Sequence, residues 1–103
     1  MFYSILIVSD DTFKIPSSYP YSIKQLPHLT RFINGVAEGG EEANIIITDC
    51  FTDFDVLWDD QWVVTNASFE TSLLGVYAVG SHVMSSKSPQ EQVDFILKSL
   101  LNQ

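Results

Sequence analysis

The strongest constraint on the fold is a set of short, unbroken apolar runs set between turn-forming residues. Phe2 to Val8 (FYSILIV) and Ala43 to Thr48 (ANIIIT) are rich in β-branched and aromatic side chains. Runs of that length, bounded by turn signals, read as buried strands. Gln61 to Thr65 (QWVVT) and Gly75 to Val79 (GVYAV) read as a third and a fourth strand, with a weaker apolar stretch from Phe54 to Trp58. A chain of 103 residues with 46% hydrophobic side chains fits one domain, residues 1–103, and can bury a core.

Two helices are expected. Leu29, Phe32, Ile33 and Val36 lie at i, i+3, i+4 and i+7, which predicts a short helix from about His28 to Glu38, ended by Gly39-Gly40. The second is the firmer. Ser88, Pro89 and Glu91 form a capping-box start, and Val93, Ile96, Leu97, Leu100 and Leu101 make its apolar stripe. Between the first strand and the first helix, Pro16, Pro20 and Pro27 enforce a long loop, with a turn of helix near Ile23 to Gln25. The expected architecture is therefore α/β: a single compact domain, a Rossmann-like fragment, with a central sheet of four or five strands and at least two packed helices.

Charge excludes some partners. Thirteen acidic residues oppose five basic ones, for a formal net charge of -8, and no Lys or Arg occurs between Arg31 and Lys87. Such a field repels nucleic acid and anionic lipid. The apolar start is too short for a secretory signal and ends in Asp10-Asp11, and no run approaches the length of a membrane span. A cytoplasmic protein is expected. The lone Cys50 rules out an internal disulfide and a CxxC pair.

From Asp60 to Val83 the chain reads DQWVVTNASFETSLLGVYAVGSHV. This segment resembles the end of the flavin domain in thioredoxin reductase-like pyridine nucleotide-disulfide oxidoreductases. The likeness rests on Val64-Thr65-Asn66, Thr71-Ser72, Gly75, the run Val76 to Val79, and Gly80. It implies a cofactor-binding set of Thr71, Gly75, Gly80, Ser81, His82 and Val83, with FAD as the ligand. Ser81 stands where the family carries the aspartate that holds the flavin's ribityl chain, and a serine lacks that charged acceptor. The chain has no GxGxxG pyrophosphate cradle and no dithiol. A complete flavin-dependent reductase is excluded, and no cofactor is the primary expectation.

Two other constellations compete. Asp10 and Asp11 follow one strand and Asp49 another, so parallel strands would gather three carboxylates at one edge, able to hold Mg²⁺. With Lys87 this looks like the pocket of a receiver domain. Asp53-Phe54-Asp55 has the form of a phosphatase nucleophile motif without its small following residues. Trp58, Trp62, Phe69, Tyr77, Tyr19 and Tyr21 are of the type that anchors interfaces. The reading that follows is a non-catalytic domain related to a flavoprotein fragment, acting through a protein partner or as a homo-oligomer. Weak flavin or nucleotide binding completed by a partner subunit, and the Mg²⁺ pocket, are the alternatives.

Overall fold

The computed structural model describes residues 1–102. Its elements run β1 (Phe2–Val8), β2 (Ile23–Leu26), β3 (Phe32–Ile33), β4 (Val36–Ala37), β5 (Glu42–Thr48), β6 (Trp58–Asp59), β7 (Trp62–Val63), β8 (Val76–Ala78) and α1 (Pro89–Leu101). Four strands form one parallel sheet in the order β2-β1-β5-β8. In the central pair Ile5 lies opposite Ile45, Leu6 opposite Ile46, and Ile7 opposite Ile47. Apolar side chains therefore stack across strands on both faces of the sheet.

The two faces are covered by different means. Ile5, Ile7, Ile47 and Tyr77 pack with Val93, Ile96, Leu97 and Leu100 of α1. Leu6, Val8 and Ile46 pack with Phe32 and Ala37 of the β3-β4 hairpin, and Phe54 tilts against Phe32 at 5.2 Å between ring centroids. The start of α1 is as the sequence predicts. Ser88 is the N-cap, its side chain accepts from Glu91 N–H, and the Glu91 carboxylate accepts from Ser88 N–H at 2.9 Å. No helix among the described residues is long and apolar enough to cross a membrane.

The expectation of two packed helices is overturned, because α1 is the only helix of seven or more residues among the described residues. Residues 28–38 form a β-hairpin instead. Asn34 and Gly35 both have positive φ, at 52° and 80°, which suits a two-residue hairpin turn and closes a helix off. Phe32 then pairs with Ala37 on the buried side while Ile33 pairs with Val36. The helical stripe would have buried Leu29 and Ile33, which are 70% and 76% exposed. Residues 23–25 are likewise strand and not helix. Pro20 and Pro27 bracket them, and proline pushes its preceding residue, Leu26, toward extended backbone. The expected third strand exists only as β7, paired with β6 in a separate hairpin outside the central sheet.

Two glycines separate backbone strain from crowding. Gly35 has φ +80° and open space where a Cβ would stand, whereas Gly75 has φ +81° and a Cβ there would lie 2.5 Å from the Asn44 carbonyl oxygen. Gly35→Ala is expected to cost about 1 kcal/mol, from left-handed backbone alone. Gly75→Ala is expected to cost more than about 3 kcal/mol, because overpacking adds to the strain. Urea unfolding midpoints of the two variants would check the order, and equal losses would contradict it.

Candidate functional site

In open parallel sheets, ligands bind beyond the carboxyl ends of the strands, where the chain switches direction between neighbours. Here that point lies between β1 and β5, since β2 and β8 fall on opposite sides of the pair. Ser9 and Asp49 occupy it. Ser9 Oγ donates to Asp49 Oδ2 at 2.6 Å and accepts from Asp11 N–H at 3.1 Å. Asp10 turns away and pairs with His28 Nδ1 at the end of β2. The carboxylates of Asp10 and Asp49 thus have different partners, and Asp11 joins only through its backbone amide. No group of three or more His, Cys, Asp or Glu side chains able to hold a metal occurs among the described residues, so Asp10, Asp11 and Asp49 are not assembled as an Mg²⁺ pocket.

The residues implied by the flavoprotein likeness fall at opposite ends of β8. Thr71 and Gly75 precede it and build a turn. Thr71 N–H donates to Val76 O at 2.8 Å, Thr71 Oγ1 accepts from Leu73 N–H at 3.1 Å, and Gly75 N–H donates to the Glu70 carboxylate at 2.9 Å. Gly80, Ser81 and Val83 follow β8 and line a cavity of about 760 Å³ with Lys87, Gln92 and Trp62. His82 does not join them in that lining. Its ring stands edge-on to Trp58 at 5.3 Å, and its carbonyl accepts from Val63 N–H at 2.9 Å, tying the β6-β7 hairpin to the end of β8.

This cavity lies beyond the carboxyl end of β8, against the start of α1. Gly80 N–H is given to Gln92 Oε1 at 2.7 Å. The first turn of α1 would attract an anion, but the Glu91 carboxylate already accepts from Ser88 N–H there. Ser81 supplies no carboxylate toward a ribityl chain, and the one charged side chain in the lining is Lys87. The Gly80 amide and Ser81 thus lack two of the contacts that the likeness implies for FAD.

A second, smaller cavity of about 180 Å³ has no counterpart among the sequence expectations. His28, Arg31, Cys50, Thr52, Asp53 and Phe54 are among its walls. It opens between the end of β5 and the approach to the β3-β4 hairpin, and the turn signal Asn34-Gly35 is what could have placed it. Arg31 clamps Asp53 through Nε and Nη2, both at 2.9 Å, and Asp53 also accepts from Phe32 N–H at 2.8 Å. Asp53 is therefore a structural acid holding the hairpin, and not part of a phosphatase motif with Asp55. The Arg31 hydrogen bond, then the Phe32 amide, hold the Asp53 carboxyl down at about 2, and the same pairing raises the Arg31 guanidinium.

No protein-family model matches this chain, and neither a curated protein nor a solved structure matches it.

The Asp53 clamp has a pH signature. Its folded pKa of about 2 lies below the ordinary 3.8, so its contribution is complete above the ordinary value and disappears as pH falls through about 2. Over that acid interval, the wild-type chain should lose stability more steeply than Asp53→Asn. Denaturant midpoints measured from about pH 5 to about pH 2 would test this, and parallel curves would refute it.

Proposed function

We propose that this chain is a non-catalytic interaction domain, related to the flavoprotein segment it resembles, that docks a protein partner with an apolar centre and a basic rim. The observation that carries the reading is the exposure of Leu57, Trp58, Val64 and Leu74, at 62%, 45%, 43% and 95%. They belong to one connected unit. Val64 N–H donates to Leu57 O at 3.0 Å, and Leu57 N–H donates to Ser72 Oγ at 2.9 Å, on the loop that carries Leu74. Trp58 is held in place between Phe51 at 5.7 Å and His82 at 5.3 Å, both edge-to-face. A preoriented aromatic anchor of this kind lowers the ordering cost of association.

Charge selects the partner. Asp55, Asp59 and Asp60 are exposed beside this unit, and no basic residue lies between Arg31 and Lys87 to neutralise them. A second copy would bring the same acids to the contact, whereas a basic surface complements them. In this reading His82 supports the anchor, and the inherited strand β8 with its flanking turns is the frame that presents it.

The test uses Trp fluorescence during titration with an amphipathic Leu/Lys peptide and its Leu/Glu counterpart. The basic peptide should bind with strong salt sensitivity, and Leu74→Asp should weaken it about tenfold. Equal binding of both peptides would overturn the reading. So would light scattering that shows a dimer which Leu74→Asp dissociates, since the surface would then belong to a second copy.

A further inference from the structure

We infer that the groove between the proline-rich crossover and the outer side of α1 binds a small amphipathic carboxylate, with its apolar body in the groove and its head group between Lys14 and Lys98. The groove has a volume of about 630 Å³, within the range of small-molecule sites. Ile15, Pro16, Tyr19 and Pro20 form one wall, and Leu97 and Leu101 the other. Lys14 and Lys98 border it, two of only five basic residues in a chain of net charge -8. Asp94 borders it too, its Oδ1 accepting from Gln90 Nε2 at 2.9 Å, so two positive charges stand there against one negative.

The walls are fixed without being filled. The crossover from β1 to β2 has no helix to satisfy its backbone, and two glutamine amides take over that role. Phe13 N–H donates to Gln25 Oε1 and Gln25 Nε2 donates back to Phe13 O, both at 2.9 Å. Lys14 N–H donates to Gln90 Oε1 at 2.8 Å, and Gln90 Nε2 returns to Lys14 O at 3.1 Å. Tyr19 OH then donates to Leu97 O at 2.8 Å, bridging the crossover to the helix. These bonds hold Lys14 and Tyr19 at set positions along α1, so the groove exists before a ligand arrives and binding requires little reorganisation. Charge complementarity decides the head group. With two positive charges against one negative on its border, the groove offers a carboxylate charge-assisted bonds from the lysines that a neutral amphiphile cannot make.

The experiment titrates the ¹⁵N-labelled full chain with decanoate and, separately, decanol, below micelle formation. Decanoate should shift the amides of residues 14, 15, 17–19 and 97–101 saturably, and decanol should bind at least about tenfold more weakly. The double variant Lys14→Gln/Lys98→Gln should erase that preference with the near-UV circular dichroism unchanged. Ser18→Trp, a substitution at an exposed lining position, should block both ligands. The inference is overturned by an absence of saturable shifts in the groove, by equal affinity for the acid and the alcohol, or by indifference to the lysine substitutions. The groove shares no residue with the Leu57–Leu74 surface, so its failure leaves the docking proposal intact.

Discussion

The parallel register of β1 against β5 is the interaction on which the other elements depend. Leu6, Ile7 and Ile47 are fully enclosed, and Ile5, Val8 and Ile46 nearly so, because successive residues of both strands are apolar and point to opposite faces. Such a pair is stable only when both faces are covered. α1 can cover one. The other is closed by a hairpin of two-residue strands, a small element that suffices because Phe32, Ala37 and Phe54 bring enough apolar surface to seal Leu6 and Val8.

Replacing crossover helices with loops has a second consequence. A helix satisfies its own backbone, whereas a loop must find partners for each peptide group it buries. The chain meets this need with side chains: Gln25 and Gln90 on Phe13 and Lys14, Asn66 on the amides of Ser68 and Glu70, and Ser72 on Leu57. The same internal pairing recurs beyond the carboxyl ends of the strands. Ser9 engages Asp49, Gln92 takes the Gly80 amide, and Glu91 occupies the helix start. Polar groups that face a ligand in other α/β sheets here face one another, and the two surfaces proposed for recognition are the apolar ones around Trp58 and along α1.

How much of this was legible depends on the kind of residue involved. Three of the four central strands, β1, β5 and β8, and the whole of α1 with its capping box could be read directly, since local composition and burial agree there. The failures share a cause. Leu29, Phe32, Ile33 and Val36 satisfy a helical period, but Asn34-Gly35 favours a hairpin, and the sheet face needed Phe32 and Ala37 together. β2 was obscured because its burial comes from pairing with β1 and not from its own sequence, IKQL. Of the candidate site residues, Gly80, Ser81 and Val83 do line a common cavity, while Thr71 and Gly75 lie beyond the other end of β8.

By itself, then, the sequence determined the strands that must be buried, the capped C-terminal helix, the acidic field and the absence of a glycine-rich phosphate cradle. These are properties of local composition, and no packing partner can reverse them. Tertiary structure alone decided which face each cover would take, that residues 28–38 turn back as a hairpin, and that Asp10 and Asp49 engage separate partners. Those outcomes depend on which distant groups meet, as when Asp53 receives Arg31 and the Phe32 amide, or Asp10 receives His28. Side chains of the same type and spacing are equally compatible with a ligand pocket or with internal pairing, and only the relative placement of the strands that carry them distinguishes the two.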